Sequence, residues 1–268
     1  MTILAIIRAP QFSPNSIHND RAIMQAVANR LRQAGHSVII MPEEEVAGLT
    51  VYQYDNDTCM ITMGRLPQTL AWLREQDVRI INTPEAVALT SSRSSLIQLM
   101  KRNRIPMPPT HGEKGFWIKR GDSCAQKPDD VIYCPDNDAL EGAIRRFADR
   151  GIADYVVSAH VEGDLVKFYG VRDTGFFRTF YPTDNRHSKF GNERHNGPAR
   201  HYPFSIDALH HDVTRLAAQV GIDVYGGDCI VRADGSYCII DFNDWPSFSR
   251  CRNEAAEAIV QLIMERAV

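Results

Sequence analysis

The densest chemistry in the chain is the segment Gly226-Gly-Asp-Cys-Ile-Val-Arg-Ala-Asp-Gly-Ser-Tyr-Cys-Ile-Ile-Asp-Phe-Asn243. Asp234-Gly235 between two β-type runs is a two-residue hairpin signal. That turn opposes Ala233 and Ser236. Carried outward, the register sets Arg232 against Tyr237, Ile230 against Ile239 and Asp228 against Asp241. Asn243, two residues beyond Asp241, shares its face. Carboxylates opposed on a ladder repel each other, and a cation resolves the repulsion. Two carboxylates and an amide oxygen form a hard, all-oxygen set suited to Mg2+, which keeps several waters and shares phosphate oxygens. The alternative is structural, with Asp228 a turn residue and Asp241 a strand-end cap. The pairing depends on the turn, because one residue more or less in the loop breaks it.

Cations gather elsewhere. Between Thr183 and Arg200, Arg186, His187, Lys189, Arg194, His195 and Arg200 face only Asp184 and Glu193. A loop this long is either functional or solvated excursion; in functional terms, it is a lid holding an anionic substrate or a terminal phosphate group. Arg250 and Arg252 follow Pro246-Ser-Phe close to the hairpin, and Arg178 lies on a strand leading into the lid. These three and Lys189 are the candidate catalytic residues. Lys167 lies on another strand, pointing into a cleft or outward. Lys119, in the apolar run Gly115–Arg120, either meets an anionic partner or snorkels to the surface. There is no GxSxG elbow, HExxH or Walker A motif.

The supporting elements follow from pattern. At 268 residues with 44% apolar and 24% charged composition, the chain can bury one large or two modest cores. A net charge of −3 argues against a general nucleic-acid binder. No apolar run reaches the ~18 residues of a membrane span, and the start lacks the basic region of a signal peptide. Cys59, Cys124, Cys134, Cys229, Cys238 and Cys251 form no CxxC pair, so a cytoplasmic protein with reduced thiols is expected.

Thr2–Arg8 is a continuous apolar run, as in a parallel strand buried on both faces. Strands over Ser37–Met41, Asp57–Met63 and Val78–Asn82 alternate with helices over Asp20–Ala34 and Leu66–Gln76, predicting a mostly parallel α/β unit. A helix over Glu85–Arg104 ends at Ile105-Pro-Met-Pro-Pro-Thr110, the best linker. Beyond come short strands (Gly115–Arg120, Asp130–Cys134), a helix (Asp138–Arg150), strands Asp154–Val161 and Leu165–Val171, a helix (Asp207–Gly221), the hairpin and a last helix (Asn253–Ala267).

Asp228, the Asp-Gly turn and Asp241-Phe-Asn243-x-x-Pro246 resemble the metal-binding end of the ATP-grasp superfamily. The likeness covers most of the chain. Ile80-Ile-Asn-Thr-Pro84 is similar to the end of that family's N-terminal domain, Met100–Thr110 to its interdomain junction, Phe116-Trp-Ile-Lys119 to its phosphate-binding strand, and Val156–Phe168 to its hinge. The resemblance implies an α/β and α+β fold: a mostly parallel N-terminal α/β domain over 1–105, then a two-lobed ATP-binding region. The lobes are a small lid subdomain (110–157) and a C-terminal catalytic subdomain (158–268). It implies that Asp228, Asp241 and Asn243 hold Mg2+ and that Lys119 meets the α/β-phosphates of ATP. The backbone near Ala159, His160 and Val161 would meet adenine, Asp164 or Glu162 the ribose, and Lys167 is grouped with these nucleotide contacts.

Three departures accompany it. Arg93 stands where the family has a lysine, and can hold phosphate bidentately. The glycine-rich flap is replaced by Arg120-Gly-Asp-Ser-Cys-Ala-Gln-Lys127, in which Arg120, Ser123 or Lys127 would compensate. Gly227 stands where ligase members often carry arginine. The activity implied is ATP- and Mg2+-dependent joining of a carboxylate to an amine or thiol through an acyl-phosphate, with Arg250 or a lid residue orienting the carboxylate. Two alternatives remain. One is a small-molecule kinase, since Gly163-Asp-Leu-Val-Lys-Phe-Tyr-Gly170 is similar to the superfamily's inositol-phosphate kinases. The other is a nucleotide-binding protein without turnover. The expected partner is a small anionic molecule, with no nucleic acid and no membrane; homodimers are common in the family.

Overall fold

The computed structural model of the chain describes residues 1–13, 16–46, 48–49, 57–182 and 195–267. Lys189, with Arg186, His187 and Arg194, lies outside them.

β1 (Thr2–Ile7) is the buried apolar run, and Ile3, Leu4, Ala5 and Ile6 are all shielded from solvent. With β2 (Ser37–Pro42), β3 (Thr58–Thr62) and β4 (Arg79–Ile81) it forms an all-parallel sheet in the order β2-β1-β3-β4. Strands in such a sheet are covered on both faces, which is why β1 and β3 show no alternation. α1 (Ile17–Gln33) buries Ile23, Met24, Val27 and Leu31, the stripe its four-residue spacing predicts. α2 (Glu43–Val46), α3 (Pro67–Arg74) and α4 (Pro84–Ser91) complete this unit.

The helix expected over Glu85–Arg104 is two helices, α4 and α5 (Arg93–Arg102). Ser92 sits between them in extended conformation, with its hydroxyl accepting from the Ser95 amide. A serine that satisfies a helix N-terminus competes with helix continuation. The break makes Arg93 the first residue of α5.

A small antiparallel sheet, β6-β5-β7, is built from β5 (Phe116–Arg120), β6 (Val131–Cys134) and β7 (Tyr155–Ala159). α6 (Asn137–Asp149) covers it through Ala143 and Phe147. The third sheet, β11-β10-β8-β9, joins β8 (Asp164–Val171), β9 (Phe176–Phe180), β10 (Val224–Val231) and β11 (Tyr237–Asp244). α7 (Ile206–Val220) packs Leu209, Val213 and Leu216 into its core. α8 (Arg252–Ala267) packs against α1 in a core shared with the first sheet.

The hairpin departs from expectation at the turn and recovers at its outer end. Gly235 N donates to Arg232 O (3.0 Å), and Arg232 N to Ser236 O (2.8 Å). Gly235 is left-handed at φ 80°, so the loop has three residues, not two. The inner pairs are therefore Val231–Tyr237, Ile230–Cys238 and Cys229–Ile239, replacing Arg232–Tyr237 and Ile230–Ile239. A β-bulge then inserts Ile240 into β11, and Asp228 opposes Asp241 after all. Two one-residue irregularities cancel.

Candidate active site

A cleft of about 420 Å³ opens where the three sheets meet. Asp228 and Asp241 line it, and a third residue completes their row, because Lys167 on β8 is the ladder partner of Asp228. The Lys167 ammonium reaches both Asp228 oxygens, at 2.9 and 3.2 Å. On the other side the Arg93 guanidinium lies 3.6 Å from Asp241. The repulsion between the two acids is thus relieved by one cation at each end of the pair.

Lys119 reaches the row from the small sheet and donates to Ile240 O at 3.0 Å. That carbonyl belongs to the bulge residue, so the irregularity that restores the Asp228–Asp241 register also supplies the lysine's anchor. Burial and the neighbouring Arg93 lower the Lys119 pKa to about 8, against the opposing pull of Asp241 and Asp228. Burial works to raise the Asp241 pKa, but Arg93, Lys119 and the Asn243 amide together hold it below the ordinary value. Asn243 Nδ2 donates to Asp241 Oδ2 (3.1 Å), which orients its carbonyl oxygen away from that bond.

These groups fit Mg2+ with nucleotide phosphates. The carboxylates of Asp228 and Asp241 and the amide oxygen of Asn243 are all hard donors. Among the described residues no cluster of three or more His, Cys, Asp or Glu side chains could hold a metal. The hydroxyl of Ser91, which lines the cleft, is buried without a hydrogen-bond partner. A buried donor of this kind calls for a ligand acceptor. Gly227 has to be glycine: a Cβ there would come within 2.3 Å of Asp241 O. No arginine fits that position.

The segment that replaces the glycine-rich flap still covers the cleft, through Ser123, Cys124 and Ala125. Cys124 Sγ lies 3.3 Å from Arg65 Nη1. Arg120, expected to compensate, pairs instead with Asp122 at 2.5 and 3.0 Å. Lys127 does not line the cleft.

At the hinge, Ala159, His160 and Val161 line the cleft. His160 Nδ1 accepts from Trp117 Nε1 (3.1 Å), while burial and nearby His195 lower its pKa. The neutral ring then carries its proton on Nε2. Asn196 Nδ2 donates to the hinge carbonyls of Val161 (3.1 Å) and Gly163 (3.2 Å) from the described end of the 183–200 loop.

Four of the candidates lie outside the cleft lining, each beside a local partner: Glu162, Asp164, Arg178 and Arg252. Glu162 is exposed, 4.0 Å from Lys114. Asp164 is buried, accepting from the amides of Arg200 (2.7 Å) and Tyr202 (2.8 Å). Arg178 pairs with Glu254 at 2.5 and 2.9 Å. Arg252 donates to Asn19 Oδ1 (3.2 Å), joining α8 to α1. Arg250 does line the cleft: Nη1 donates to Tyr181 O (3.2 Å), the guanidinium lies over Phe180, and Nη2 is buried without a partner.

Two buried ion pairs were not expected from the sequence. Arg8 contacts Asp20 at 3.3 Å, and Arg65 chelates Asp244 at 2.5 and 3.3 Å. Glu43 of α2, fully buried, accepts from the amides of Ala9, Arg65 (2.6 Å) and Leu66 (2.7 Å), clamping the segments that carry both arginines. A signal was present. Arg8 and Arg65 lie just beyond the carboxyl ends of the parallel strands β1 and β3, where open α/β sheets bind ligands.

No protein-family model matches the chain, and no curated protein sequence does. Solved structures do. D-alanyl-alanine synthetase A from Vibrio cholerae superposes with a TM-score of 0.71 at 12% identity, over 100% of this chain and 98% of the other. A RimK-domain ATP-grasp protein from Sphaerobacter thermophilus gives 0.64 at 15% identity, over 98% and 99%. The ATP-grasp ligase PsnB, solved with a precursor peptide and AMPPNP, gives 0.61 at 14%, over 99% and 97%. The chain has the fold of the ATP-grasp superfamily, along its whole length.

Proposed function

We propose that the protein is an ATP- and Mg2+-dependent ligase joining the carboxylate of a small molecule or peptide to an amine or thiol through an acyl-phosphate. The observation that carries this reading is the row Lys167–Asp228–Asp241, facing Lys119 and Arg93 across one cleft. The names of the neighbours support it, since they include a D-alanyl-alanine synthetase and a peptide ligase.

Asp228, Asp241 and Asn243 would hold Mg2+, which when bound neutralises phosphate oxygens. Lys119 and Arg93 add fixed positive charge where oxygen charge develops, and phosphoryl transfer needs little else beyond positioning. The substrate carboxylate attacks the γ-phosphorus, the bond to the bridging oxygen breaks and ADP leaves. The amine then adds to the acyl carbon, phosphate departs and the amine nitrogen loses a proton. No protein nucleophile is required.

Hydroxylamine as surrogate amine tests the reading. A carboxylic acid that yields a hydroxamate, ADP and free phosphate, dependent on Mg·ATP, supports ligation. Transfer of γ-phosphate label to one stable product identifies a kinase. One observation favours binding without turnover: Lys167 already occupies both oxygens of Asp228. Thermal stabilisation by Mg·ATP with no ADP formed across a broad acid panel would establish that.

A further inference from the structure

Among the described residues, the charges lining the cleft pair off almost completely. The four carboxylates there each have a cation: Asp20 with Arg8, Asp244 with Arg65, Asp241 with Arg93 and Asp228 with Lys167. Two lining cations remain without a carboxylate partner of their own, Lys119 beside the paired acids and Arg250 on the segment beyond them. Asp20 and Asp244 are 4% and 1% exposed, and Asp20 also accepts from Ser13 Oγ. The nearby carbonyls are engaged as well: Trp245 O accepts from Arg8, Asp244 O from Arg65 and Tyr181 O from Arg250. Two orphaned polar atoms on this segment, Arg250 Nη2 and Trp245 Nε1, are both donors.

Resting on the ligase reading for its place in the reaction, we infer that the acid bound beside Arg250 carries no free ammonium group: it is a hydroxy acid, not an amino acid. A carboxylate answers the Arg250 fork. An ammonium on the adjacent carbon would find, among the described lining residues, no carboxylate that a cation does not already hold. A hydroxyl in the same place is neutral and can share protons with Ser16, Ser247 and Ser249, which also line the cleft.

Matched pairs that differ only in hydroxyl against ammonium test this: lactate against alanine and glycerate against serine, both enantiomers. Each is titrated calorimetrically into the full chain saturated with Mg·AMPPNP. The hydroxy acid of at least one pair is expected to bind about tenfold or more tightly than its amino acid, and Arg250→Gln to remove that binding while leaving AMPPNP affinity unchanged. Equal affinities, preference for the amino acid, or no binding by any of the acids overturns the inference. The hydroxylamine assay separates it from the ligase reading. Arg250-dependent hydroxy-acid binding without hydroxamate keeps the inference and removes ligation; alanine or serine hydroxamate formed as fast as the hydroxy-acid product does the reverse.

Discussion

Lys119 is a charge held at a cost, and replacing it with methionine should make the free protein more stable. Its pKa falls from 10.5 to about 8 through burial and the Arg93 charge. At about 1.4 kcal/mol per pH unit, keeping this lysine protonated near neutrality costs about 3 kcal/mol. The bond to Ile240 O returns about 1 kcal/mol, so Lys119→Met should gain about 2 kcal/mol, or about 5 °C in melting temperature. The sign has a pH signature. Folding releases this proton between about 8 and 10.5, so the native protein gains stability as pH rises through that window. The variant's advantage should therefore be full near neutrality and largely gone by about pH 10.5, where the native lysine is neutral in both states. Thermal unfolding of both proteins across this range reads the difference directly. With saturating Mg·ATP the order should reverse, since only the native protein offers the ammonium to phosphate. A variant less stable near neutrality, or a gain independent of pH, refutes the account.

Asp241→Asn should abolish metal-dependent nucleotide binding and leave the fold intact; unchanged ATP affinity by calorimetry would count against the metal site. Breaking the buried Arg65–Asp244 pair by Arg65→Met should cost about 3–5 kcal/mol in urea unfolding, because Asp244 is left charged and buried; the double change with Asp244→Leu should recover part of that loss. Gly227→Ala places a Cβ 2.3 Å from Asp241 O, which should cost about 1–3 kcal/mol and weaken Mg·ATP binding by spreading β10 from β11.

The elements were legible in the sequence where the physics is local. The apolar run of β1, the spaced stripe of α1 and the Asp-Gly turn follow from the period of burial and the backbone freedom of glycine. The opposition of Asp228 and Asp241 was legible too, though by a route that missed two compensating irregularities. The bulge leaves Ile240 O to accept from the Lys119 ammonium, and no count along one hairpin includes a side chain from another sheet.

Only the tertiary structure decided which charges face the cleft. Arg178, on a strand leading into the 183–200 loop, and Arg250, close to the hairpin, were both candidates, yet Glu254 takes the first and a backbone carbonyl steadies the second. The strand ends marked Arg8 and Arg65 as candidates, but their partners were not legible: Asp20 comes from the face of the following helix, and Asp244 from a strand 179 positions further along the chain. Periodicity reports the face a residue occupies on its own element. The partner waiting on that face is set by packing, and for a buried charge the partner decides its role.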